Sequence, residues 1–465
     1  MPTIAVVGGG LAGLSTAFEL AERAERFPEP IDVVCFEADT RPGGKVRTTR
    51  ENGFLCEWGP TGFLDDAPAT LTLVRRLGLE ARLLPARDDR AQRFVFRRGK
   101  LRALPGDPRG LWRTDLLSWR GKLRLLAEPL VRPRPAAGDE SLFDFTARRL
   151  GREAAEVVCD AAVGGIYAGD ARSLSVRAAV PALHTMEQRH GGLLRALQAQ
   201  PRGPANGNGN GHAPPRLTSF RDGMEELISA LARELGSRLQ SGNPVRLVSD
   251  LGRRGFRVLA SEGPPLDVDA VVLACPAAEA AKLVESIDEP MAAAMAEIPS
   301  APLALVQLGY EVSAATGPPP GFGCLIPRGQ GPRMIGTFWS SEVFEHRAPK
   351  GWRLLTAMLG GAHDPEATRL GDDALVAQTR RDLEQVLGLL AAPRFVRLLR
   401  REQAVPQYTL GHLDRVAAID AALARHPGLA VCGSSYRGIS ANACIEESSR
   451  VAETVLGQLR LRAAV

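Results

Sequence analysis

The residues whose types and spacing most clearly permit chemistry are glycines near the start of the chain. Gly8, Gly10 and Gly13 form the pattern G-x-G-x-x-G between an apolar run over 3–7 and a helical pattern over 14–24. In that context Gly8 allows a tight turn, Gly10 lets backbone approach a diphosphate, and Gly13 lets helix and strand pack closely. Leu11 and Ala12 fall at the helix start, where unpaired N–H groups and the positive dipole end attract an anion. A second apolar run over 31–36 ends in Glu37 and Ala38. A carboxylate there accepts hydrogen bonds from ribose hydroxyls and repels a 2′-phosphate, so the spacing predicts FAD or NAD rather than NADP.

Two further glycine turns refine this reading. Arg41, Gly43, Gly44 and Lys45 make a small basic turn just after the second strand, able to run alongside more of the diphosphate. Near the C-terminus a strand pattern over 429–432 runs into Gly433, Ser434, then Gly438, Ile439 and Ser440, ahead of an amphipathic helix. The order strand, GxGxxG, helix, strand-Glu, R-x-G-G-K resembles the flavin amine oxidase superfamily. In that superfamily the C-terminal loop covers the ribityl and isoalloxazine portions of FAD, and Val245, at the head of a middle strand, lies near adenine. Read alone, Val245 is as easily a core valine.

A more specific stretch is Gly164-Gly165-Ile166-Tyr167-Ala168-Gly169-Asp170, followed by Leu174-Ser175, Pro181 and Glu187. It resembles the protoporphyrinogen oxidase family. Colinear matches to that family run along the whole chain: Glu57-x-Gly59-Pro60, Arg93 ahead of Gly99-x-Leu101, Phe220-Arg221-Asp222-Gly223-Met224, Gly321-Phe322-Gly323-x-Leu325, Met358-Leu359-Gly360-Gly361 and Pro406-Gln407-Tyr408. The resemblance implies non-covalent FAD held by the residues above together with Gly59 and Pro60. It implies six-electron oxidation of protoporphyrinogen IX to protoporphyrin IX, with dioxygen as acceptor. It implies Arg93 as the cation for a propionate, and Phe322, Leu325, Phe338 and Met358 as walls of an apolar slot, with the Gly164 or Gly165 backbone close to the macrocycle. Ser434, Ser440 and Ala443 depart from the family pattern, which puts fine details of flavin contact in question.

No side chain stands out as a general base; His412 reads more readily as structural. Paired carboxylates, a nucleophile elbow and metal-ligand spacings are absent from the sequence, so the cofactor must carry the chemistry. Three alternatives stay open. Coproporphyrinogen III, with four propionates, would need more cations around the slot. An amine oxidase or carotenoid desaturase would share the cofactor domain, and a non-enzymatic carrier of flavin or porphyrin would share the folds of both sites.

The elements that must position these groups read as α/β. A discontinuous Rossmann-like FAD domain is expected over 1–85, 214–280 and 409–465. An α+β substrate domain is expected over 281–408 and a helical lobe over 86–213. The 465 residues are 45% hydrophobic and 24% charged, which excludes a disordered chain. Of 58 basic residues only five are Lys, and net charge is just +5, so the Arg number is no sign of nucleic acid. Seven scattered Cys argue against disulfides and fit a cytoplasmic protein. Leu111, Trp112, Leu116, Leu117 and Trp119 alternate with Arg and Lys over 110–134, which suits either an interfacial helix on anionic lipid or a helix covering the core. The low-complexity tract 205–212 reads as a disordered loop. The family resemblance leaves open a homodimer, peripheral membrane contact and hand-over of product to a ferrochelatase.

Overall fold

The computed structural model describes residues 1–25, 30–105, 108–135, 138–199, 215–313 and 318–463. Its first sheet has five parallel strands in the order Leu239–Ser241, Asp32–Glu37, Thr3–Val7, Ala270–Leu273, Leu429–Val431. Both faces are covered, as parallel sheets require. Strand alternation divides the core: Ile4 and Val6 pack toward helices Leu11–Ala24, Glu225–Leu235 and Ala441–Ala463, while Ala5 and Val7 pack toward Ala277–Val284, Glu289–Ala296 and His412–Leu423. The chain thus enters this sheet from its beginning, middle and end.

A second sheet has seven strands in the order Phe395–Pro406, Ser300–Glu311, Trp352–Gly360, Gly336–Phe338, Gly323–Leu325, Arg93–Arg97, Lys100–Ala103. All neighbours are antiparallel except Gly323–Leu325 with Arg93–Arg97. One face carries Phe96, Cys324, Ala357, Leu355, Ala304, Val306 and Leu308 into a core completed by Leu375, Leu383 and Val386 of helix Asp372–Leu387. The other face is left for a site. The hairpin over 93–103, which lies inside the segment read as helical, is part of this sheet.

Helices of the segment 142–199 gather around Leu142, Phe145, Val163, Tyr167 and Val176. Within 110–134 the structure has two short α-helices, Pro108–Arg113 and Trp119–Leu126, and a single 3₁₀ turn, Glu128–Leu130, rather than one continuous face. The break comes at Ser118, whose hydroxyl caps the second helix by accepting the Gly121 N–H at 3.1 Å. Leu116 and Leu117 are buried, whereas Trp112 and Trp119 are 54% and 66% exposed, so the apolar residues of this stretch divide between core and surface. No described helix is long and apolar enough to cross a membrane. The tract 205–212 lies outside the described residues.

Candidate functional site

The cofactor side is built from backbone. Gly8 has φ +110°, and a Cβ there would stand 2.9 Å from the Cys275 nitrogen. At Gly13 a Cβ would fall 1.8 Å from the Gly8 carbonyl oxygen, so both positions demand glycine. Gly10 pairs with Gly43 in a parallel bridge, and the Gly43 N–H donates to the Gly9 carbonyl at 2.7 Å. A Cβ on Gly44 would lie 3.1 Å from the Gly10 Cα. Helix Leu11–Ala24 begins at Gly10 with no side-chain cap and no acidic residue in its first turn. Its leading N–H groups are therefore available to an anion. The two glycine turns and this helix end fit the diphosphate of a dinucleotide.

Glu37 closes the second strand and is buried. Its Oε2 accepts the Gly9 N–H at 2.7 Å and its Oε1 accepts the Asp39 N–H at 2.8 Å. Burial raises its carboxyl above the usual range against these bonds. The Asn243 N–H donates to the Glu37 carbonyl at 2.9 Å, which brings the head of strand Val245–Asp250 to the same end of the sheet. Ala38 is exposed just beyond. Lys45 and Gly59 meet, because a Cβ on Gly59 would stand 2.1 Å from the Lys45 carbonyl; Pro60 follows, half-buried. Burial, with the neighbouring Arg401, pulls the Lys45 ammonium down to about 8. Arg41 of this turn forms an ion pair with Glu225 and donates to the Thr48 carbonyl.

The C-terminal loop meets the same helix end. Gly433 has φ +109°, and its N–H donates to buried Glu447 at 2.9 Å. A Cβ on Gly433 would touch Ala12 at 3.5 Å. Ser434 is half-buried, and its carbonyl accepts the Tyr408 hydroxyl at 2.7 Å. Ile439 packs against the helical cluster. The Ser440 hydroxyl accepts the Ala443 N–H at 3.1 Å and so caps helix Ala441–Ala463. Asn442 ties this end down by donating to the Leu64 carbonyl and accepting from Thr70, each at 2.8 Å.

The substrate side follows from strand pleat. Arg93, Leu325, Phe338 and Met358 share one face of the seven-stranded sheet, as the registers Gly323↔Arg93, Gly323↔Phe338, Leu325↔Gly336 and Gly336↔Met358 dictate. Phe322 stands just before its strand, with its ring 4.9 Å from that of Phe338 at 69°. These four apolar side chains are half-buried, unlike the closed positions on the opposite face. The exposed Arg93 guanidinium lies 4.9 Å over the Phe322 ring. Arg97 shares its face but is bound to Glu153 and the Leu116 carbonyl; Arg93 has no such ion pair among the described residues. Helix Asp160–Tyr167 packs across this face, and a Cβ on Gly165 would stand 2.4 Å from Leu325 Cδ2, one on Gly164 3.0 Å from Ile335.

Two contacts join this face to the cofactor side. Arg401 donates to the Gly44 carbonyl at 2.8 Å, and Gln307 donates to the Glu57 carbonyl at 2.7 Å. Sequence reasoning missed both residues. Alternation along Phe395–Pro406 and Ser300–Glu311 would place them on one face, but not say which neighbour that face meets. Tyr436 and His412 are core residues: Tyr436 packs beneath the five-stranded sheet, and His412 Nε2 lies 2.9 Å from the Tyr436 carbonyl.

Three comparisons bear on this geometry. The family model for flavin containing amine oxidoreductases matches residues 11–456. Protoporphyrinogen oxidase from Homo sapiens is 33% identical over 489 residues, covering 98% of each chain. Coproporphyrinogen III oxidase from Bacillus subtilis (strain 168) is 26% identical, again covering 98% of each. A crystal structure from Exiguobacterium sp. 255-15, assigned provisionally to protoporphyrinogen oxidase, superposes with a TM-score of 0.84 at 25% identity over 99% of both chains.

Proposed function

The chain belongs to the flavin-containing amine oxidoreductase family, within the company of the protoporphyrinogen oxidases, and from that premise we propose that it oxidises protoporphyrinogen IX to protoporphyrin IX with FAD and dioxygen. The observation that carries this reading is the half-buried sheet face where Phe322, Leu325, Phe338 and Met358 meet beneath Gly164 and Gly165, with Arg93 at its rim. An apolar slot with a cation at its mouth suits a flat macrocycle bearing carboxylates at one edge.

Gly10, Gly43, Gly44 and the start of helix Leu11–Ala24 would hold the diphosphate, Glu37 the ribose, and the loop over 433–440 the ring system. The chemistry FAD supplies when bound is acceptance of two electrons per round and their delivery to dioxygen, with three rounds per macrocycle. The protein's own part is placement. Arg93 binds a propionate through a planar, permanently charged fork. The phenylalanine pair and Met358 exclude water from the macrocycle's face. Glycine at 164 and 165 lets the helix pack directly on Leu325 and Ile335, which sets helix backbone close beside the slot.

Arg93, exposed at the mouth without an ion pair among the described residues, supplies a cation for a propionate and favours a dipropionate over the tetrapropionate coproporphyrinogen III. The exposed Trp112, Trp119, Leu123 and Leu130 support peripheral contact with a membrane. The two sheets and the helical cluster support a division into cofactor, substrate and helical lobes, with the hairpin over 93–103 joining the substrate lobe. Oxygen uptake measured with porphyrin fluorescence tests the activity. Three dioxygen per protoporphyrin IX, and loss of turnover without FAD, is the expected stoichiometry. Porphyrin formation that needs no flavin would defeat it.

A further inference from the structure

The segment Pro406-Gln407-Tyr408 leaves the second sheet and is bonded both to the C-terminal loop and to the tract over 167–175. The Tyr408 side chain is buried, 2% exposed. Its hydroxyl donates to the Ser434 carbonyl and accepts the Gly438 N–H, both at 2.7 Å. Those two groups bracket the glycine-rich loop that runs into Ile439 and Ser440. The Tyr408 carbonyl accepts the Ser175 N–H at 2.8 Å, and Thr409 forms a bridge with Leu174. Next to it, the Gln407 side chain donates to the Tyr167 carbonyl at 2.7 Å, at the end of the helix that carries Gly164 and Gly165. A Cβ on Gly169 would fall 2.6 Å from Gln407 Oε1, so that turn is closed against the glutamine. The Tyr408 ring stacks on His412 at 4.1 Å and 16°, which fixes the ring plane.

Resting on the reading that the 433–440 loop covers the flavin, we propose that Tyr408 is a positioning residue: its hydroxyl sets that loop, and hence the flavin, in register with the Gly164–Ser175 tract over the substrate slot. A phenol suits the task because one oxygen both donates and accepts. The bridge also needs no titration, since burial keeps the hydroxyl protonated. Neither a fold-stabilising tyrosine nor a core aromatic needs both its partners in a loop from a different sheet.

Tyr408→Phe keeps the ring and its stacking and deletes both loop bonds. In FAD-loaded protein the visible flavin absorption should move toward that of free FAD, and FAD binding to apoprotein should weaken about tenfold. Turnover should drop more than KM rises, because the reacting centres lose register rather than affinity. A variant that only melts earlier, with unchanged spectrum, FAD affinity and turnover, overturns the proposal. If Tyr408→Phe fails to accumulate, His412→Gln, which removes the ring's stacking partner, must give the same spectral shift, and its absence is equally fatal. The spectral and affinity readouts need only FAD. Failure of wild-type protein to oxidise a porphyrinogen would therefore sink the proposed function without touching this test.

Discussion

Replacing Gly165 by Ala probes the slot through one atom. The three atoms nearest the added Cβ would all belong to Leu325: 2.4 Å to Cδ2, 3.4 Å to Cδ1 and 3.5 Å to Cγ. Leu325 is half-buried and flexible, so the clash is relieved by swinging its side chain into the slot. Overpacking of this kind costs about 1–3 kcal/mol. Ala in place of Gly within helix Asp160–Tyr167 returns roughly 1 kcal/mol. Net stability should thus fall by no more than about 2 kcal/mol. Substrate recognition should suffer more, because a displaced isobutyl group narrows the slot by about one methyl; that is worth about tenfold or more in kcat/KM. The decisive comparison is the double variant Gly165→Ala/Leu325→Ala. Deleting Leu325 Cγ and both Cδ atoms removes every atom in the clash, so the two substitutions should be strongly non-additive, the double variant being no less stable than Leu325→Ala alone. Steady-state kinetics with denaturation midpoints of all four proteins checks this. Strict additivity, or an unchanged KM in Gly165→Ala, would refute the packing of this helix on the slot.

Other outcomes follow from the same geometry. Arg93→Ala should lower kcat/KM about 10- to 100-fold, mainly through KM, while FAD binding stays unchanged; equal kinetics would remove Arg93 from the substrate's carboxylates. Burial and Arg401 hold the Lys45 ammonium at about 8, so FAD affinity of apoprotein should be level below that pH and fall as pH rises through it. The sign follows because only protonated Lys45 attracts the diphosphate; Lys45→Met should abolish the dependence, as equilibrium titration across pH would show. Arg149 and Glu128 form an ion pair with both side chains fully buried. Arg149→Met leaves a buried carboxylate and should cost about 3–5 kcal/mol in chemical denaturation, with part recovered by adding Glu128→Leu. That recovery is partial because Glu128 also accepts the Leu193 and Leu194 N–H groups.

Legibility from sequence followed the range of the interactions. The first strand, the Gly8–Gly13 turn and Glu37 are local patterns whose geometry is set within one strand–turn–helix unit, and each lies where its spacing indicated. The slot residues were legible only through family resemblance, since Arg93, Leu325, Phe338 and Met358 come from four strands whose registers no local pattern encodes. Arg41 shows the limit of charge reading: Glu225, its partner, is brought in by a helix far along the chain. Leu116 and Leu117 show the limit of amphipathic reading. Alternating apolar and basic residues mark two faces, but the burial of Leu116 depends on neighbours such as Val95, Val157 and Ala161. Tyr408 was visible as a motif residue, whereas its double hydrogen bond needed the loop over 433–440 to be folded back against it.

The measurement that bears most directly on the account is anaerobic flavin reduction in the FAD-loaded protein by protoporphyrinogen IX and coproporphyrinogen III side by side. A slot with Arg93 as its exposed rim cation predicts fast bleaching by protoporphyrinogen IX and much slower bleaching by the tetrapropionate. Preference for coproporphyrinogen III would contradict the substrate reading, and no bleaching by either would contradict the function itself.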